Sequence, residues 1–202
     1  ILNLSRLLIR YYKYLNNMIT INGIKIGIDH KPFIIAEMSA NHGGSIDRAK
    51  ASILSAKKSG ASAIKMQSYT PDTMTIESNN KDFIISSGLW KNYNLYNLYK
   101  EAFTPFEWHA ELFNYSKKIG ITIFSTPFDE SAIDLLINLD TPAFKIASFE
   151  LTDLHLIKYA AKYKKPMLIS TGMGSLQEIN EAVEVVKKWI IITFFYFIVL
   201  AN

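Results

Sequence analysis

The chain of 202 residues carries 22 Lys and Arg against 18 Asp and Glu, a net charge of +4, with 49% apolar residues and no cysteine. The apolar share excludes a disordered polyelectrolyte, and the lack of cysteine excludes disulfides and thiolate chemistry. No Lys/Arg stripe interleaved with aromatics marks a nucleic-acid surface, so the mild positive charge suits anionic metabolites instead.

The chain opens with Ile1, and residues 1–17 are rich in Leu, Tyr, Asn and Arg. They have neither the unbroken apolar stretch nor the small-residue cleavage site of a signal peptide. They read as an upstream extension foreign to the domain, the other reading being a short amphipathic helix. Met18 starts a β-like segment over 19–28 that turns at Asn22-Gly23.

Five apolar runs follow, each ending in polar or ionisable residues: 33–39 (FIIAEMS), 63–69 (AIKMQSY), 122–128 (TIFSTPF), 143–150 (AFKIASFE) and 166–173 (PMLISTGM). Each precedes a segment of helical pattern, which is the arrangement of βα units in a parallel sheet. Ser45 is set to cap a helix running to Ser59 and closed by Gly60, with Ile46, Ala49, Ile53 and Ala56 facing inward. Thr104-Pro105-Phe106-Glu107 reads as a cap, a proline at the first helical position and a glutamate at the third, on a helix ending at Gly120. Ser175-Leu176-Gln177-Glu178 is a second capping box, with Leu176, Ile179, Val183 and Val186 predicted to face the core. The second connection is long, and residues 70–103 hold Trp90, Tyr93, Tyr96 and Tyr99 among asparagines and serines. That insertion is either a lid over a site or a surface excursion pinned by its aromatics. The tail, 189–201 (WIIITFFYFIVLA), is apolar but short of the about 20 residues of a membrane span, and its composition suits a buried strand.

In parallel βα folds, ligands bind beyond the carboxyl ends of the strands. Glu37, Lys65, Gln67, Thr126, Lys145, Ser148, Glu150, Ser170 and Thr171 all fall there. Lys65 and Lys145 are flanked by residues of buried strands, where an unpaired ammonium costs several kcal/mol as an order of magnitude. Either Glu37 and Glu150 neutralise them as internal ion pairs, or the lysines join hydroxyls of Thr126, Ser148 and Ser170 in a polyanion pocket. Three hydroxyl donors add nothing to an ion pair, which favours the pocket.

These segments resemble a known family. Residues 35–44 (IAEMSANHGG) are similar to the opening strand and loop of the sialic acid synthase family, the N-acetylneuraminate synthase-like proteins. Residues 61–67 (ASAIKMQ), 124–128 (FSTPF), 142–150 (PAFKIASFE) and 170–173 (STGM) are similar to its next four motifs, in order and at its spacing. The resemblance covers residues 19–188. Ala147-Ser148-Phe149-Glu150 and Gly88-Leu89-Trp90 look most like the pseudaminic acid branch; the N-acetylneuraminate enzymes tend to have glycine at the places of Ala147 and Phe149.

The resemblance implies an α/β fold, five to six units of a (β/α)8 TIM barrel, with 18–188 as the barrel part and 189–202 as a frameshifted or truncated end. It implies condensation of phosphoenolpyruvate with 2,4-diacetamido-2,4,6-trideoxy-altrose, giving a nine-carbon 2-keto acid and phosphate. By the family's pattern Lys65, Thr126, Lys145, Ser148 and Ser170 hold phosphoenolpyruvate, Glu37 acts near the reacting carbons, and Glu150 contacts the sugar. A manganese or magnesium ion belongs to the family, ligated by histidines of later strands. His30, His42, His109 and His155 do not match those ligands. A C-terminal antifreeze-like domain and a homodimer are also family features that this segment does not supply. The expected compartment is the cytoplasm. Alternatives within the family are N-acetylneuraminate or legionaminate synthesis, and a further alternative is a non-catalytic truncated product. The chain by itself is expected to be inactive and prone to aggregate.

Overall fold

The computed structural model describes residues 18–27 and 29–189, and the backbone of Phe194–Phe197. They fall into two compact units, one spanning Ile35–Leu139 and the other formed by the segments on either side of it. Both repeat strand, helix and parallel strand.

In the Ile35–Leu139 unit, β3 (Ile35–Ser39) pairs in parallel with β4 (Ala63–Ser68), and β4 with β5 (Thr122–Pro127). The register sets Glu37 beside Lys65 and Gln67 beside Thr126. Helix α1 (Ile46–Lys58) starts where Ser45 accepts the Arg48 N–H at 3.4 Å, and Gly60, at φ +84°, reverses the chain after it. Ala49, Ile53 and Ala56 are buried as predicted, while Ile46 is only half-buried. Helix α4 (Phe106–Ile119) ends on Gly120 at φ +73°, and α5 (Glu130–Asn138) is capped by Asp129, which accepts the N–H groups of Ser131 and Ala132. Ile53, Ile64, Met66, Phe124, Ile133 and Leu136 are fully buried, each contributing about 1.5–3 kcal/mol by leaving water.

The start of α4 corrects the capping expectation. Thr104 is buried and its hydroxyl pairs with His42 Nε2 at 3.1 Å, so it is taken by a residue 62 positions away. Pro105 takes the cap position without a side-chain bond.

The insertion has structure of its own: α2 (Pro71–Met74), a 3-10 turn at Lys81–Phe83, and α3 (Leu95–Ala102) capped by Asn94. Tyr99 packs edge-on against Tyr69 at the end of β4 (5.8 Å between centroids), and Tyr69 against Phe128 (5.5 Å). Burial, with Tyr99 alongside, pushes the Tyr69 hydroxyl up to about 12. Tyr96 donates to Asp72 and Tyr93 to Glu101. The tyrosines therefore pin the excursion, whereas Leu89 and Trp90 at its tip are exposed.

In the second unit, Asn22 (φ 49°) and Gly23 (φ 79°) turn the β1–β2 hairpin (Ile19–Ile21, Ile24–Ile26) as the sequence predicts. Strands β6 (Phe144–Ile146) and β7 (Met167–Ser170) pair in parallel, and the backbone of β8 (Phe194–Phe197) pairs in parallel with β7. Helix α6 (Leu154–Ala161) starts at Asp153 and α7 (Leu176–Lys187) at Ser175, whose box with Glu178 closes in both directions. The buried stripe of α7 is Ile179, Ala182, Val183 and Val186; Leu176, predicted to be inside, is 48% exposed because the stripe begins one turn later.

The run 143–150 is not one strand. It leaves β6 after Ile146, and carbonyls of Ala147 and Ser148 accept the N–H groups of Glu150 and Leu151, closing a 3-10 turn over Phe149–Thr152. Ser148 and Glu150 thus stand on this turn rather than on a strand. The expectations for residues 1–17, and for the tail apart from the Phe194–Phe197 backbone, lie outside the described residues. Among the described residues no helix is long and apolar enough to cross a membrane.

Candidate functional site

Two lysine clusters stand on the parallel strands, one in each unit. In the Ile35–Leu139 unit, alternation along β4 puts Lys65 and Gln67 on one face and Met66 and Ser68 on the other. Lys65 Nζ pairs with Glu37 Oε2 at 2.5 Å and donates to Thr126 Oγ1 at 3.1 Å. Glu37 is held from behind. A register shift after it brings Ser39 (φ 49°) round, and both the Ser39 N–H and hydroxyl donate to Glu37 Oε1, at 2.8 and 3.0 Å. Both carboxylate oxygens are engaged, so Glu37 is held in place beside the Lys65 ammonium. Lys65 thus combines both alternatives from the sequence, an ion pair with Glu37 and the Thr126 hydroxyl of the pocket.

In the second unit Lys145, only 9% exposed, donates to Ser170 Oγ at 2.6 Å and to the Ile146 carbonyl at 2.7 Å. The Ser148 hydroxyl makes no hydrogen bond among the described residues. It lies near Gly172, where an added Cβ would stand 3.4 Å from Ser148 Oγ. Glu150 is half-buried, and its Oε2 is buried without a hydrogen-bond partner. Burial pushes the Glu150 carboxyl above the usual range, while its own backbone N–H and Lys145 pull the other way. Phe149, between Ser148 and Glu150, is 77% exposed.

The structure also brings together residues that sequence reading left apart. On the outer face of β4, Ser68 Oγ lies 2.7 Å from His109 Nε2 and 2.7 Å from Ser125 Oγ, all three fully buried. His109 Nδ1 stands 3.0 Å from the Pro105 carbonyl, so it carries the proton and Nε2 accepts from Ser68. Burial pushes the His109 imidazole below its usual value. The single signal available was polar Ser68 and Ser125 at strand positions that should face helices.

His42 and His109 have their ring nitrogens committed to hydrogen bonds. His42 accepts the Gly44 N–H at Nδ1 (3.2 Å) and gives its Nε2 proton to Thr104, while His109 Nε2 accepts from Ser68. Their lone pairs are used, and burial with Arg48 nearby pushes the His42 imidazole down as well. Among the described residues no three His, Cys, Asp or Glu side chains group as a metal would need.

A sequence profile of the NeuB family matches residues 52–192. A pseudaminic acid synthase of Campylobacter jejuni is 48% identical over 160 residues, covering 79% of this chain and 47% of that protein. An N,N'-diacetyllegionaminic acid synthase of Legionella pneumophila is 37% identical over 170 residues, covering 84% of this chain and 48% of that protein. Among solved structures, the N-acetylneuraminic acid (sialic acid) synthetase of Leptospira borgpetersenii, in complex with citrate, superposes with a TM-score of 0.77 at 32% identity, over 89% of this chain and 58% of that one. The α/β fold is accordingly part of a TIM barrel. The chain spans about half the length of the curated relatives it matches.

Proposed function

The chain belongs to the NeuB family, and from that membership we propose that it serves a pseudaminic acid synthase, condensing phosphoenolpyruvate with 2,4-diacetamido-2,4,6-trideoxy-altrose. One observation carries the reading: buried Lys145 is presented with Ser170 Oγ in a chain 48% identical to a pseudaminic acid synthase. Phosphoenolpyruvate carries a carboxylate and a phosphate, and ammonium groups with hydroxyl donors are what such anions require. Lys65, Thr126, Lys145, Ser148 and Ser170 bind it in this reading, and Glu150 meets the sugar.

The enol carbon of phosphoenolpyruvate forms a bond to the aldehyde carbon, whose oxygen takes a proton. Positive charge develops at the carbon bearing the phosphate oxygen. Water adds there and gives up a proton, offsetting the one taken by the aldehyde oxygen. The carbon–oxygen bond to phosphate breaks as the remaining hydroxyl proton leaves with the phosphate, giving the keto group. Glu37, fixed by Ser39, stabilises that cation electrostatically. The described residues serve binding and charge stabilisation. A divalent cation polarising the aldehyde would need donors other than these. The exposed Phe149 ring beside Glu150 supports a sugar with a methyl terminus. The higher identity to the pseudaminic than to the legionaminic enzyme supports the same choice. Cytoplasmic placement and a homodimer belong to this proposal.

A chimera tests the substrate. Residues 18–189 replace the matching segment of the Campylobacter enzyme, and phosphate release is followed with each sugar. The expected result is a higher kcat/KM for the diacetamido-trideoxy sugar than for N-acetylmannosamine. The reverse preference reassigns the chain to neuraminate synthesis.

A further inference from the structure

The loop after β7 and the 3-10 turn after β6 are built against each other with no spare space at one point. The Gly174 N–H closes a turn onto the Thr171 carbonyl at 3.1 Å. A Cβ on Gly174 would overlap the Leu151 Cδ2 methyl and come within 3.5 Å of both Leu151 Cγ and Ile179 Cγ1. Leu151 has nowhere to swing: it is 1% exposed, and the turn that bears it packs on α7. Gly174 does not have a positive φ, so the glycine is required by space rather than by backbone conformation.

What fixes Leu151 fixes its neighbours. The Leu151 N–H bonds to the Ser148 carbonyl (3.4 Å), Glu150 N–H to Ala147 (3.2 Å), and Asp153 N–H to Glu150 (3.0 Å). The same loop approaches Ser148 again at Gly172. We propose that Gly174 is a positioning residue: by leaving room for Leu151 it seats the turn carrying Ser148 and Glu150 against the loop that follows Ser170. The site hydroxyls and the carboxyl are thereby set as one body. The functional part of this inference rests on the reading above, since Ser148, Glu150 and Ser170 are the groups positioned; the packing part stands without it.

A double-mutant cycle tests both parts. Amide hydrogen exchange is measured at Glu150, Leu151 and Asp153 in the parent, Gly174→Ala, Leu151→Ala and the double variant. Overpacking should speed exchange about tenfold in Gly174→Ala. With Leu151 cut back, the added methyl should cost nothing, so the double variant exchanges no faster than Leu151→Ala. Unchanged exchange in Gly174→Ala, or additive effects, overturns the packing. Should Gly174→Ala not fold, a folded double variant supports the proposal and an unfolded one overturns it. The second readout is the rise in Tm on adding phosphoenolpyruvate, which should shrink in Gly174→Ala but not in the exposed control Leu176→Ala. A full-sized rise in Gly174→Ala overturns the positioning role. No rise in the parent sinks the functional reading, while the exchange cycle still decides the packing.

Discussion

At the scale of single residues, the two lysines are solved differently. Lys65 is held by a carboxylate and a hydroxyl, and Lys145 by a hydroxyl and a carbonyl. Lys65→Ala should leave Glu37 with only its Ser39 donors and weaken phosphoenolpyruvate binding without unfolding the chain, as titration calorimetry with circular dichroism can check. The buried Ser125–Ser68–His109 chain is structural. Ser68→Ala should cost about 1–3 kcal/mol in urea unfolding, because it leaves His109 Nε2 buried without its donor. The titrating groups push stability in opposite directions. His109 and His42 are lowered by burial, so their stability is present above the ordinary imidazole pKa of 6.5 and is lost as pH falls through their folded values. Replacing His109 with Gln should flatten that loss in denaturation curves between pH 7 and 5. Glu150 is raised, so its contribution is full below its ordinary 4.5 and is lost as pH rises through its folded value. Glu150→Gln should therefore raise Tm at pH 7.5 relative to the parent but not at pH 4. Of the Ser68 network only the misplaced polarity of Ser68 and Ser125 was legible, because His109 and Ser125 lie 41 and 57 positions from Ser68 and nothing local pairs them with it.

At the scale of elements, local chemistry reads well where it closes on itself. Ser45, Asn22-Gly23, Gly120 and the Ser175–Glu178 box act over two to four residues, and all stand where the sequence puts them. Ser175→Ala should cost about 1 kcal/mol of stability, within the range of cap deletions. Local reading fails where a distant residue takes the local partner, as His42 does with Thr104. It fails again at residues 147–152, where an apolar, strand-like string turns away because Leu151 is buried beneath α7. The insertion was open between lid and pinned excursion, and the Tyr69–Tyr99 contact argues for pinning. Tyr99→Ala removes an edge-on pair worth about 0.5–1.5 kcal/mol beyond its area. Limited proteolysis should then cut within residues 70–103 sooner than in the parent, while the parallel strands stay protected.

At the scale of the whole molecule, the parallel βα order was legible because the strands β3 to β7 come from apolar runs that end in polar residues and precede helices. The chemistry was legible only in outline: Lys65, Thr126, Lys145 and Ser170 lie on parallel strands, Lys65 and Lys145 within them rather than at their ends, and their pairings depend on register and turns. The proposed function rests on binding of phosphoenolpyruvate through the buried Lys145. Thermal unfolding with increasing phosphoenolpyruvate measures it directly on the 202-residue chain. At about 100 times Kd the ligand should stabilise the parent by about 2.7 kcal/mol. Lys145→Ala should lose most of that protection while keeping the parent's far-UV dichroism. Equal protection of the parent and Lys145→Ala, or none in the parent, would contradict the claim.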